Sequence, residues 1–234
     1  MRSGDIMEKY IGIDVGGTKC AVIVGEYEDG EFKIISRTAF ATDVNEEPFS
    51  VIEKFSEIIS KEKDFKAIGI SCGGPLDASR GVILSPPNLP GWDHIEIVKY
   101  FEEKTGVKTY LQNDANACAV AEWKFGAGKG CRNMAFLTFG TGLGAGLILD
   151  GKLYCGTNDN AGEIGHIRLD NHGPVGYGKS GSFEGFCSGN GIAQLGYTYA
   201  LEQVQSGKYP AYFKKGMTAA DVTAKTIADA ADAG

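Results

Sequence analysis

Phe139 to Gly146 reads FGTGLGAG, with a glycine at every second position from Gly140 onward. A dinucleotide-binding loop would need G-x-G-x-x-G between a strand and a helix, and the apolar residues that follow this stretch continue as a strand. It therefore reads as a glycine turn between two strands. Upstream, Gly16-Gly17 separates the apolar runs Ile11–Val15 and Ala21–Val24 in the same way. The two segments align without gaps, Asp14–Thr18 on Thr138–Gly142, and AVIVGE falls on AGLILD. An internal repeat at this separation predicts two related domains facing one another.

Between the repeats the pattern alternates. EFKIISRTAF reads as a third strand, and EEPFSVIEKFSEIISKEK places Phe49, Ile52, Phe55, Ile58 and Ile59 on one helical face. FKAIGISCGG is a buried strand ending in glycines, and IEIVKYFEEKTG is a helix stopped at Gly106. VKTYLQND is a strand, and ANACAVAEWKFGAG is a helix whose first turn follows Asp114. This order predicts a layered α/β domain. The second half opens as a three-stranded meander, and MTAADVTAKTIADAADAG reads as one amphipathic helix with no strand after it. The second domain is therefore expected to be incomplete at its C-terminal side.

The chain has 234 residues, 43% hydrophobic and 23% charged, which describes an ordinary globular protein. Its net charge of -7 disfavours a nucleic-acid or anionic-lipid surface. No apolar run reaches the ~18 residues of a membrane helix, and the N-terminal stretch lacks a signal-peptide pattern, so a cytoplasmic location is expected. The six cysteines form no C-x-x-C pair and read as reduced thiols. The 34 glycines imply tight turns and close backbone approaches to a ligand.

DVGGTK lacks the P-loop spacing, yet a glycine hairpin offers unobstructed backbone N–H groups and a threonine hydroxyl to phosphate oxygens. Two such hairpins would grip a triphosphate. Asp14, at the end of the first strand, suits a magnesium ion held through water. Lys19 stands beside the same turn.

IGIDVGGTK, SCGGPLD, PNLPGW, LQNDANA, FGTGLGAG and GEIGHI, in this order, resemble the ROK family of sugar kinases and sugar-responsive repressors, within the superfamily of hexokinases, actin and Hsp70. The resemblance runs from about Lys9 to Leu195. It implies two RNase H-like (actin-like ATPase) α/β domains with a cleft between them, here 7–115 and 116–234, with the second incomplete. ATP would lie across Gly16, Gly17, Thr18 and Lys19 on one side and Gly140, Thr141 and Gly142 on the other, with Mg2+ near Asp14. Asp114 matches the family's catalytic base, at a helix N-terminus where a carboxylate is favoured. Gly74 through its backbone, with Asn88, Asn113, Asp114, Glu163, His166 and Glu184, would ring the sugar. Trp92 would be a wall behind the Asn88 loop, and His94 and His172 surface or turn residues. Family members commonly dimerise, and their adenosine contacts come from a more C-terminal region, so ATP is expected to bind this chain weakly.

Many family members carry a zinc site in which a histidine is joined by three cysteines. Here His166 is kept, while the cysteine positions hold Gly176, Gly178 and Ser182. A lone histidine with Cys187 nearby falls short of the four ligands of a structural zinc site, so no zinc is expected. The resemblance implies ATP-dependent phosphorylation of a hexose at the 6-hydroxyl, glucose first. N-acetylglucosamine, N-acetylmannosamine or fructose are the alternative substrates. A sugar-binding fragment of weak activity is a further reading, and a repressor would need a helix-turn-helix ahead of the first strand.

Overall fold

In the computed structural model, residues 7–233 are described; residues 1–6 and Gly234 lie outside them. The chain divides into two compact units. One comprises the chain through Phe136 together with Gly146–Ala161, the other Leu137–Ala145 together with Gly162 onward.

The first unit is built on a five-stranded sheet of order β3-β2-β1-β4-β7. Its strands are β1 (Glu8–Val15), β2 (Lys19–Glu28), β3 (Glu31–Ala41), β4 (Phe65–Cys72) and β7 (Thr109–Asn113), with the short hairpin β5 (Leu76–Asp77) and β6 (Val82–Ile83) between. β1 runs antiparallel to β2, and β2 to β3, whereas β1, β4 and β7 are parallel. Register sets Val15 beside Cys72 and Cys72 beside Asn113. The carboxyl ends of three parallel strands are thus level, which is where open α/β sheets bind ligands.

Helix α1 (Pro48–Ile59) buries Val51, Ile52, Phe55 and Ile59. Phe49, expected on that face, is 56% exposed and instead meets the ring of Tyr100 at 6.3 Å. The buried stripe instead begins at Pro48, one residue earlier, and continues through Val51 and Ile52. Phe55 and Phe101, the latter on α2 (Ile97–Thr105), are fully buried in one core with Ile11, Ile13, Ile68 and Ile70. α2 ends at Gly106, whose φ of 70° supplies the left-handed cap. β3 alternates as expected but is exposed along almost its whole length, because it is the free edge of the sheet.

Helix α3 (Asp114–Phe125) begins at Asp114 itself, not after it. Asn113 is the N-cap, its Oδ1 accepting from the N–H groups of Ala115 at 3.0 Å and Asn116 at 3.3 Å. β8 (Met134–Phe139), β9 (Leu143–Leu149) and β10 (Lys152–Tyr154) form the expected meander in the order β10-β9-β8. The repeat is visible in its geometry: the β1–β2 turn is Gly16–Thr18 and the β8–β9 turn is Gly140–Gly142, three residues each. Gly146 packs on α3, since a Cβ there would stand 2.6 Å from the carbonyl oxygen of Ala115.

In the second unit, a 3-10 turn (Ile164–His166) precedes the two-residue strands β11 (Val175–Gly176) and β12 (Lys179–Ser180), then α4 (Phe183–Cys187) and α5 (Gly189–Gln205). The single helix expected over the last residues is two. A 3-10 turn (Ala219–Asp221) and α6 (Ala224–Asp232) each start at their own capping box, Thr218 with Asp221 and Thr223 with Thr226. Their apolar residues Val222 and Ile227 pack with Ala200 and Phe213.

Candidate functional site

In the first unit the level strand ends gather most of the expected residues. Gly17 lies against Asn88, and a Cβ on it would stand 2.5 Å from the Asn88 carbonyl oxygen. Gly73 is within 3.6 Å of Asn88 Oδ1 and Gly74 within 3.6 Å of Asn113 Nδ2, measured from the same idealised Cβ. Gly16, Gly17, Gly74, Asn88 and Asn113 therefore form one surface whose glycines keep the backbone bare. Trp92 is buried, its N–H donating to Leu89 O and its carbonyl accepting from Ser85 N at 2.9 Å, so it does back the Asn88 loop. Thr18 and Lys19 are exposed at the turn.

Asp14 is perturbed by its surroundings. Burial pushes the Asp14 carboxyl above its ordinary value, the Asp114 charge pushes it further, and the Arg37 guanidinium partly offsets both. Arg37 escaped the sequence reading. Its only signal is register: Asp14 pairs with Ala21, Ala21 with Ala39, and Arg37 lies two residues from Ala39 on the same sheet face. Thr42 was also missed; its hydroxyl donates to Gly16 O at 2.6 Å and ties down the first hairpin. Cys72, beneath this site, is pushed up to about 12 by burial first and then by Asp114, Cys20 and Asp14. It is a packing thiol, not a nucleophile.

The β7–α3 junction that carries Asp114 is fixed by amides. Gln112 Oε1 accepts from Asn113 N at 2.8 Å and from Asn116 Nδ2 at 3.1 Å. Asp114 Oδ1 accepts from Ala115 N at 2.8 Å.

In the second unit the hairpin Gly140–Gly142 is held from two sides. Glu184 Oε2 accepts from Leu143 N at 3.0 Å, and a Cβ on Gly142 would stand 2.7 Å from that oxygen. Glu184, expected at the sugar, thus also supports the glycine turn. Gly189 N, the first residue of α5, donates to Gly140 O at 2.9 Å. The positive end of a 17-residue helix therefore lies against Gly140, an arrangement suited to phosphate that the sequence reading did not find. Its signal is Ser188, whose hydroxyl accepts from Gly191 N at 3.1 Å. A cavity of about 750 Å3 opens beside this point, bounded by Gly140, Thr141, Asn190, Tyr197 and Thr223. Glu163 Oε2 lies 3.5 Å from His166 Nε2, so these two expected sugar ligands stand together. His94 and His172 are exposed.

The residues do not fit a zinc site of the kind the resemblance carries. A side chain on Gly176 would place its Cβ 2.5 Å from Gly185 N. Ser182 Oγ is buried and already engaged, donating to Gly176 O at 3.4 Å and accepting from Gly185 N at 3.0 Å. Among the described residues no group of three or more His, Cys, Asp or Glu side chains is placed to hold a metal ion. Magnesium asks less of the protein, one or two carboxylates with the phosphates and water completing its shell, and Asp14 fits that demand. No helix among the described residues is long and apolar enough to cross a membrane.

A mixed α/β fold in which two strand pairs each turn through three residues rich in glycine is of the actin-like α/β class. Comparison with known proteins makes this specific: the ROK family model matches residues 10–233, and the chain belongs to the ROK family. It is 34% identical over 191 residues to a glucokinase of Thermotoga maritima, covering 80% of this chain and 59% of that protein. It is 36% identical over 186 residues to an N-acetylmannosamine kinase of Escherichia coli, covering 78% of this chain and 62% of that protein. The solved structure of a ROK glucokinase from Streptomyces griseus with glucose and AMPPNP superposes with a TM-score of 0.70 at 30% identity, over 98% of this chain and 72% of that one. The chain spans about three fifths of the length of the two curated relatives.

Proposed function

We propose that this protein transfers the γ-phosphoryl group of ATP to the 6-hydroxyl of a hexose, with glucose as the preferred acceptor. The observation that carries the reading is Asp114 at the carboxyl end of β7, close enough to Asp14 and the first glycine hairpin for the two carboxylates to interact. Asp114 accepts the proton of the 6-hydroxyl as that oxygen attacks the γ-phosphorus. Phosphoryl transfer otherwise needs positioning and charge stabilisation. The N–H groups of Gly16–Lys19 and Gly140–Gly142, with the α5 N-terminus, supply these to the phosphates. Asp14 would hold magnesium, and the ion would supply charge neutralisation at the phosphates. Asn88, Asn113, Glu163, His166 and Glu184 hold the sugar hydroxyls, with Gly74 offering backbone. The reading includes no zinc, a cytoplasmic setting, a homodimer, and two domains, 7–115 and 116–234, related by duplication.

The acceptor is tested by comparing kcat/KM for glucose, fructose, mannose, N-acetylglucosamine and N-acetylmannosamine. Glucose is expected to lead by about 10-fold or more, the scale of one well-placed polar contact. A lead for N-acetylmannosamine would move the assignment to an N-acetylhexosamine kinase, and no turnover with any sugar would remove the kinase reading.

Asp14 gives a pH prediction. Its carboxyl titrates higher in the folded than in the unfolded chain, so folding favours the protonated form. That contribution is fully present below the unfolded value, near 3.8, declines as pH rises toward the raised folded value, and is absent above it. Asp14→Asn is therefore expected to raise Tm relative to wild type at pH 7, with the difference vanishing near pH 3.5 (~0.3 below the unfolded value). The same variant should turn over about 10- to 100-fold more slowly, as for loss of a partner that orients metal-bound water. Thermal melts across pH, paired with rates, check both parts.

A further inference from the structure

Tyr177 and Gly178 form the two-residue turn of the β11–β12 hairpin, in which Gly176 pairs with Lys179. Both turn residues are left-handed, with φ of 46° at Tyr177 and 73° at Gly178. Such a turn favours asparagine, aspartate or glycine at its first position, and a bulky residue there is strained. Strain in a segment that is otherwise free to choose its residue points to a task for the side chain. Tyr177 is also 69% exposed, so core packing does not explain its presence.

The hairpin does have a partner. The Tyr177 ring meets the His166 imidazole edge to face, with centroids 5.1 Å apart and planes at 78°. Two residues on, Lys179 Nζ donates to the carbonyl oxygen of His166 at 2.6 Å. His166 is thus held by its ring and by its backbone, from one hairpin, while its Nε2 faces Glu163 Oε2 at 3.5 Å. The hairpin is itself anchored, Gly176 pressing its backbone against Glu184 and Gly185, and Gly181 N donating to Pro174 O at 3.0 Å.

We propose that Tyr177 and Lys179 form a metal-free clamp that sets the orientation of the His166 imidazole, making Tyr177 a positioning residue for sugar recognition. The proposal rests on the assignment of His166 to the sugar in the reading above. An imidazole on a short 3-10 turn has two ring torsions to fix before it can direct a hydrogen bond at a hydroxyl. An edge-to-face aromatic contact fixes the ring plane, and the lysine fixes the backbone from which it projects.

The test uses the whole chain and the three histidines that its sequence contains, whose imidazole proton signals are followed by NMR in wild type, Tyr177→Phe, Tyr177→Gly and Lys179→Met. Wild type and Tyr177→Phe are expected to share a His166 signal displaced by the neighbouring ring, which Tyr177→Gly loses. Titrating glucose against the same signal, Tyr177→Gly should bind about 10-fold more weakly, the scale expected when a contact group is misplaced. Tyr177→Phe should bind normally, and Lys179→Met should fall between. Because glycine relieves the strain at this position, Tyr177→Gly should melt no lower than wild type, so affinity and stability move apart, which a merely structural role would not produce. Adding a chelator should change neither signal nor affinity. An unchanged His166 signal or an unchanged glucose affinity in Tyr177→Gly, with wild-type turnover normal, overturns the clamp and leaves the kinase reading intact. A wild-type protein that neither turns over nor responds at His166 to any sugar overturns both.

Discussion

Asp114→Asn is expected to lower kcat for hexose phosphorylation by about 10²- to 10⁴-fold, the range for removing a general base. KM for the sugar should change little, because the amide keeps the size and hydrogen-bonding reach of the carboxylate. The fold should survive, since an amide oxygen can still accept from Ala115 N as Asp114 Oδ1 does now, and the helix cap belongs to Asn113. The variant should melt no lower than wild type at pH 7, because the Asp114 charge is one of the groups that press Asp14 toward protonation. Steady-state kinetics and a thermal melt on the same sample separate the outcomes. A near-normal rate with a normal melt would take the base away from Asp114.

Phe55→Ala is expected to cost about 3–5 kcal/mol of folding stability, lowering Tm by roughly 6–20 °C for a chain of this size. Phe55 is fully buried on the face of α1 that covers the central sheet, and its ring lies 5.3 Å from that of Phe40. Neighbours drawn from several strands cannot all collapse onto the space it leaves, so the cavity cost adds to the lost burial. The link to function is mechanical. Phe55 shares one core with residues of β1 and β7, which carry Asp14 and Asn113 near their carboxyl ends, so a loosened core should blur the positions of both. Phe55→Leu, which refills most of the volume, should recover most of the stability. Chemical denaturation of the three proteins measures the differences, and a loss under about 1 kcal/mol for the alanine variant would mean that the core is not organised around this residue.

Much of this molecule was legible because its signals are local. Glycines between two runs of strand period cannot be a strand-to-helix loop, and the two turns proved to be of equal length at matching places in the repeat. The position of Asp114 followed from a strand running directly into a helix, although the cap fell to Asn113. The C-terminal helix was misread as one piece because alanine-rich helical periodicity continues through Thr223, and only the second capping box interrupts it. Other features are not local at all. Arg37 acts on Asp14 from two strands away, through a register that no single segment specifies. The α5 N-terminus meets Gly140 across 49 residues of chain. The left-handed backbone of Tyr177 runs against its own residue preference, and a reading by propensity assigns such a position to glycine or asparagine.

The central claim is that this chain carries out ATP-dependent phosphoryl transfer to a hexose through Asp114. Phosphorus NMR of the wild-type chain with magnesium, millimolar ATP and glucose tests it most directly, with Asp114→Asn in parallel. The account predicts ADP and a glucose 6-phosphate resonance growing together in the wild type, and at most one hundredth of that rate in the variant, the lower bound for losing a general base. Hydrolysis of ATP without a sugar phosphate, or equal rates in the two proteins, would contradict it.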